Sequence, residues 1–243
     1  MTETATDWTA PFRTEGHTGE AVVLFHGYTG HPGHCTPLGE ALAEAGHTVV
    51  APRLAGHTGN AEDMADVTWR DWMSSARSAA ESVSEHRRVH LVGLSMGGLL
   101  AILLARPLAA ASITTVNAPI LVRDTRMYLA PLARHFVEWV PAADIVVPDS
   151  QLDHLWAPTP LHSTAAIAGL VAVVRQAWRA AGRLRRPSLV IQSRVDEAVR
   201  PVSGRLLAWR LDGHLVWVDT RHNAFLDPGR PLVHDAVLSH ITR

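Results

Sequence analysis

The sequence predicts an α/β fold: a mostly parallel central sheet flanked by helices, with a small helical cap inserted between two late strands. Three observations predict it. Short continuous apolar runs alternate with longer amphipathic ones, the pattern of buried parallel strands and their crossover helices. One of those runs ends directly in a glycine-bracketed serine followed by a new helix. The alternation lapses over one stretch, 119–186, where Pro131, Pro141, Pro148, Pro158 and Pro160 divide the chain into short helical pieces.

In chain order, the run 21–25 is apolar throughout and stops at His26-Gly27, as a buried strand feeding a loop does. A helix is expected over 36–45, closed by Gly46, then a strand over 48–51. Helical periodicity covers 69–85, with Thr68 as a candidate cap. A strand over 89–94 runs into the helix that starts near Met96. Further strands are expected at 112–116, 188–192 and 215–218, and a last helix at 231–241. Within the lapse, one long helix covers 163–181, with Ile167, Leu170, Val171, Val174 and Trp178 on a broad apolar face. The expected division is a core of residues 1–118 and 183–243 and a cap insertion of 119–182.

Bulk properties narrow the function. The chain has 243 residues, 47% of them apolar and 19% charged, the composition of a globular protein. A formal net charge of −1 supplies no field for nucleic acid or an anionic membrane, so no nucleic-acid partner is expected. One cysteine excludes an intrachain disulfide and fits a reducing compartment. The first twenty residues carry acids and no apolar core, so no secretory signal is expected in them. The apolar run 97–111 is broken by Arg106 and Pro107 and is shorter than the ~20 residues that span a bilayer. It reads as a buried helix, with no stable membrane insertion and a cytoplasmic setting.

The strand-to-helix junction holds Gly93-Leu94-Ser95-Met96-Gly97. Such a turn is sharp and strained, needs small neighbours on both sides, and lifts the serine hydroxyl above the sheet edge. The new helix directs its free N–H groups toward the same point. Ser95 is therefore the candidate nucleophile. One oxyanion donor is expected from the N–H of Met96. A second is expected from the loop His26-Gly27-Tyr28-Thr29-Gly30, through the N–H of Tyr28. A competing metal site built from His26, His31, His34 and Cys35 matches no zinc spacing, and neither metal nor cofactor is expected.

Partners for such a serine follow in the order Ser, Asp or Glu, His. Asp196 comes after the strand 188–192 and a short turn, with Glu197 beside it as rival. His222 follows the strand 215–218 and precedes the final helix. His214 lies at the other end of that strand, and His234 and His240 lie on the helix. The chemistry these residues imply is acyl transfer: neutral His222 takes the Ser95 proton, Asp196 holds the imidazole, and two N–H groups receive the oxyanion.

These motifs, with Gly56-His57, Trp69, Asp71-Trp72, Gly98, Asn117-Ala118-Pro119, Val199 and Pro201, stand in an order that resembles the bacterial carboxylesterase and monoacylglycerol lipase branch of the α/β-hydrolases. The resemblance runs from about residue 20 to the C-terminus and is weakest through the cap. It implies Ser95, Asp196 and His222 as triad, Tyr28 and Met96 as oxyanion donors, and a small-molecule acyl ester as substrate. The chain departs from the family in having Arg221 where a glycine usually precedes the histidine. It also has Gly56-His57-Thr58 in place of Gly-His-Gly.

The expected function is a serine carboxylesterase for short- to medium-chain acyl esters, monoacylglycerols among the candidates. Ile120, Met127 and Leu170 are the expected acyl-pocket residues. A thioesterase or amidase uses the same triad, a cofactor-free haloperoxidase or perhydrolase shares the scaffold, and a binding protein on this fold keeps the residues without efficient turnover.

Overall fold

The computed structural model describes residues 7–142, 150–155 and 159–242. Pro148 and Pro158, two of the prolines singled out above, lie outside the described residues. The chain runs β1 (Phe12–Thr14), β2 (Glu20–Phe25), α1 (Thr36–Glu44), β3 (Thr48–Ala51), α2 (Ala61–Ala65) and α3 (Trp69–Glu81). It continues through β4 (Arg88–Leu94), α4 (Met96–Ala105), β5 (Ser112–Val116), α5 (Ala130–Ala133), β6 (Trp139–Pro141) and β7 (Leu161–Ser163). It closes with α6 (Thr164–Ala181), β8 (Ser188–Ser193), α7 (Val202–Leu211), β9 (His214–Val218) and α8 (Arg230–Ile241).

Among the described residues the main sheet has seven strands, in the order β1-β3-β2-β4-β5-β8-β9. All neighbours are parallel except β1, which pairs antiparallel with β3 at the edge. Strand β2 shows why the central strands are buried at consecutive positions. Ala21, Val23 and Phe25 enter one core cluster, while Val22 and Leu24 enter the other. Side chains alternate across a strand, so a sheet covered on both faces buries both sets. Helices α3, α4, α6 and α7 contribute to the first cluster, and α1 and α8 to the second.

The apolar run after Ser95 is α4, whose residues are buried almost without exception. Among the described residues no helix is long and apolar enough to cross a membrane. Helix α3 stops at Glu81 rather than 85. Ser82 and Ser84 bond back through their hydroxyls to the carbonyls of Ala79 and Glu81, which gives the backbone an alternative to further helix.

Residues 119–182 divide into two parts. Helix α6 packs on α4, with Val173, Val174 and Ala177 inside the first core cluster, so this helix is a flanking layer of the sheet. Ser163 caps it by accepting the N–H of Ala166. Above it lie the short helix α5 and the small antiparallel pair β6–β7, the latter where only short helical pieces were expected. Strand β1 and helices α2 and α7 were also outside the sequence expectation. Strand β1 and helix α2 are short and lie near the surface, whereas α7 is a ten-residue helix.

Candidate active site

Five loops leave the C-terminal ends of β2, β4, β5, β8 and β9 and meet at one edge of the sheet, the usual place for ligands in parallel α/β sheets. Ser95 stands between β4 and α4 with φ 55° and ψ −120°. That left-handed conformation is disfavoured for a residue with a Cβ. Its neighbours make the strain possible. A Cβ on Gly93 would lie 2.1 Å from the Gly97 carbonyl carbon, and one on Gly97 would lie 2.1 Å from the Phe25 oxygen. The Ser95 N–H donates to the Val116 carbonyl at 2.7 Å, which ties the elbow to β5.

Ser95 Oγ lies 3.0 Å from His222 Nε2. On the other side of the ring, Nδ1 lies 2.9 Å and 3.1 Å from the two Asp196 oxygens. The Asp196 carboxylate also accepts the N–H groups of Ala198 at 2.8 Å and Val199 at 2.7 Å. Asp196 is fully buried. Glu197 takes a different part: its Oε2 accepts the main-chain N–H of His222 at 2.9 Å. Burial pulls the His222 imidazole down, but the charge and hydrogen bond of Asp196, with the charge of Glu197, outweigh it and raise the pKa above the ordinary 6.5.

The loop after β2 lies against the serine. A Cβ on Gly27 would sit 3.3 Å from Ser95 Cβ and 3.9 Å from its Oγ. His26 shapes this loop from inside the fold. Its Nδ1 donates to the Gly27 carbonyl at 2.9 Å and its Nε2 accepts the Leu54 N–H at 3.3 Å. Both ring nitrogens are thereby occupied, and burial holds the ring well below the ordinary histidine pKa, so it is neutral. Cys35 is buried, which pushes its thiol pKa up. Among the described residues no group of three or more potential metal ligands converges. Tyr28 and Thr29 follow Gly27 in the cleft wall, with Thr29 at φ 59°. Met96 opens α4, where an amide N–H has no preceding helical carbonyl to meet.

A cleft of about 150 Å³ opens over Ser95 and His222. Its lining includes the apolar Pro119, Val122, Leu170 and Val199 and the polar Thr29, His34, His162 and Asn223. Of the three expected acyl-pocket residues, Leu170 is in this lining. Ile120 is 7% exposed and sits in the first core cluster, and Met127 packs half-buried against that cluster. Val122 takes the place expected of Ile120 because it bridges to Val199 beside the acid loop. His162 was not anticipated. It comes from β7 and meets the Tyr28 ring edge-on at 5.3 Å. Arg221 leaves the site uncrowded: it is exposed, and its N–H donates to Asp227 at 2.9 Å. His57 is buried under the site beside His26 and Trp72, its Nδ1 bonded to the Ala55 carbonyl and its pKa pushed down to about 4 by burial.

A family model described as "Alpha/beta hydrolase family" matches residues 22–235. The chain belongs to the alpha/beta hydrolase family. Within that family, a carboxylesterase of Bacillus subtilis (strain 168) is 26% identical over 242 residues, 96% of each chain. A thermostable monoacylglycerol lipase of Bacillus sp. (strain H-257) is 44% identical over 85 residues, which are 35% of this chain and 34% of that one. A solved lipolytic enzyme of metagenomic origin superposes with a TM-score of 0.86 at 27% identity, covering 96% of this chain and 97% of that one. A Paleococcus ferrophilus monoacylglycerol lipase shares the fold, with a TM-score of 0.77 at 21% identity over 94% of this chain and 96% of that one. This is an α/β hydrolase whose relatives are of the esterase and lipase type.

Proposed function

We propose that this α/β hydrolase is a serine carboxylesterase that cleaves short- to medium-chain acyl esters through Ser95, His222 and Asp196. One observation carries the reading: the continuous chain from Ser95 Oγ to His222 at 3.0 Å and from His222 to Asp196 at 2.9 Å, opening on a cleft. In the reaction, neutral His222 Nε2 takes the hydroxyl proton as Oγ attacks the ester carbonyl. The N–H groups of Tyr28 and Met96 receive the oxyanion, a contribution typically of about 3 kcal/mol per donor. The tetrahedral intermediate collapses, the alkoxide leaves with the proton from His222, and water repeats the cycle on the acyl-enzyme.

The cleft supports a small acyl group. At about 150 Å³ it is well below the roughly 300–1,000 Å³ of pockets for drug-sized ligands. Leu170, Val122 and Val199 suit an acyl chain, and the polar lining residues Thr29, His34, His162 and Asn223 suit a hydroxylated alcohol. In this reading the insertion 119–182 supplies Val122 and His162 from its outer part and Leu170 from α6 to the cleft. Monoacylglycerols are the second substrate class, favoured by the 44% identity to the monoacylglycerol lipase over 85 residues and by the polar residues in the cleft lining.

The test compares wild type with Ser95→Ala on 4-nitrophenyl acetate, butyrate, octanoate and palmitate. The expected result is collapse of turnover in the folded variant and a wild-type optimum at butyrate or octanoate. Equal rates in both proteins overturn the nucleophile, and a rate climbing to palmitate overturns the chain-length assignment.

A further inference from the structure

The histidine of the site is carried on neither a strand nor a helix. Strand β9 ends at Val218 and α8 begins at Arg230, so His222 sits within an irregular connection. Its ring must nevertheless hold two hydrogen bonds at once, to Ser95 and to Asp196. Two side chains outside the proton relay hold its main chain. Glu197 accepts the His222 N–H at 2.9 Å. From the other side, Asn117 Nδ2 donates to the His222 carbonyl at 2.9 Å and to the Arg221 carbonyl at 3.3 Å.

Asn117 reaches further. Its Oδ1 accepts the Ser193 N–H at 2.8 Å and the Gln192 side-chain N–H at 3.2 Å, and its own N–H donates to the Ile191 carbonyl at 2.9 Å. Ser193 ends β8, three residues before Asp196. One fully buried carboxamide therefore joins the strand that delivers the acid to the loop that delivers the histidine. A carboxamide suits this place because it donates at one end and accepts at the other. Asn117 also stands at φ 50°, a conformation asparagine tolerates better than most residues. It is not in the cleft wall, so it acts through His222 and not on substrate.

We propose that Asn117 and Glu197 are positioning residues that grip the main chain of His222 from opposite sides and hold its ring in line between Ser95 and Asp196. The proposal rests on the reading of those three residues as the triad. A displacement of about 1 Å at such a group costs on the order of 10²-fold in rate.

The decisive variants separate the grip from the backbone conformation. Asn117→Gly keeps the left-handed φ and removes both arms. Asn117→Asp keeps the acceptor end and turns the donor end into an acceptor facing two carbonyls. Glu197→Ala removes the other grip at a half-buried position. Each full-length variant is assayed on 4-nitrophenyl butyrate, with competent serines counted by end-point labelling with a fluorophosphonate and folding followed by circular dichroism. A merely structural loss lowers the labelled fraction. Loss of positioning lowers kcat per labelled serine.

The expected result is a fall in kcat per labelled serine of about 10- to 100-fold for both Asn117 variants and about 10-fold for Glu197→Ala, with KM within about threefold of wild type. A folded Asn117→Gly with kcat within twofold of wild type overturns the proposal. If neither Asn117 variant folds, Glu197→Ala decides, and a wild-type kcat there overturns it. His222→Ala in the same assay keeps the two readings apart. Retained activity in that variant defeats the triad itself, whereas its collapse beside an intact Asn117→Gly defeats only the grip.

Discussion

At one end of β4 stands Ser95, with His222 and Asp196 brought to it by neighbouring loops. At the other end, the first residues of β2, β4 and β5 bring together a second serine, histidine and carboxylate. There His90 Nδ1 lies 2.8 Å from Ser112 Oγ, and His90 Nε2 lies 3.6 Å from Glu20 Oε2. Residue types alone do not distinguish the two groups. Their surroundings do. Ser95 is held at φ 55° on an elbow over a cleft, whereas Ser112 is an ordinary strand residue and none of the second group lines that cleft. The second carboxylate is engaged elsewhere, since Glu20 meets Arg87 at 2.6 Å. The two histidines also diverge in the direction of their pKa shifts. Asp196 and Glu197 raise His222, while burial and the charge of Arg88 push His90 down to about 4 against the pull of Glu20. A strained serine, an open cleft and a carboxylate bonded to the histidine ring occur together at the Ser95 end and not at the Ser112 end.

The sharpest way to break this contrast is to remove each serine. Ser95→Ala is expected to lower kcat/KM on 4-nitrophenyl butyrate by about 10⁴-fold or more. The pH profile comes next in size. In the proposed mechanism His222 acts only when neutral, and its pKa is raised, so the acid limb of kcat/KM is expected to have its midpoint above pH 6.5. At pH 5 the rate should be more than ~30-fold below its plateau. A midpoint clearly below 6.5 contradicts the assigned partners.

The elbow's geometry predicts the third effect. Gly97→Ala places a Cβ 2.1 Å from the Phe25 carbonyl oxygen, backbone that moves little. A loss of about 3 kcal/mol in urea unfolding is expected, and near-wild-type stability would show that the strand and helix are not so closely packed. The second histidine supplies a smaller effect of defined sign. His90 titrates at about 4 when folded and near 6.5 when unfolded, so the unfolded chain binds more protons between those values. Stability is therefore lost as pH falls from about 6.5 through 4, and His90→Gln is expected to flatten part of that slope in denaturation at stepped pH. The smallest effect is Ser112→Ala. It removes one buried hydrogen bond and costs about 1 kcal/mol, with kcat on the same ester unchanged within twofold.

Most of the sheet was legible because its signals are local. Val22, Val23 and Leu24 need only their neighbours to show a strand buried on both faces. The elbow is five consecutive residues whose glycines answer contacts that any such turn makes. The long helix of the insertion was legible by its periodicity, but its membership in the sheet's flanking layer was not, because that depends on α4 beneath it. The pocket was the least legible part. Ile120 and Val122 are equally apolar in sequence, and only the bridge to Val199 turns the second toward the cleft. His162 carried no signal beyond being one of fifteen histidines.

By itself, then, the sequence determined the alternating sheet and helices, the strained serine and the order in which an acid and a histidine must follow it. These depend on burial pattern and on residues adjacent in the chain. Tertiary structure alone decided the division of labour between Asp196 and Glu197, one holding the ring of His222 and the other its main chain. It alone gave Asn117 a place in the site. The reason is distance along the chain. Ser95 and His222 are 127 positions apart, and Asn117 and His222 are 105 apart. Contacts of about 3 Å between such residues exist only once five separate loops have been brought to one edge of the sheet.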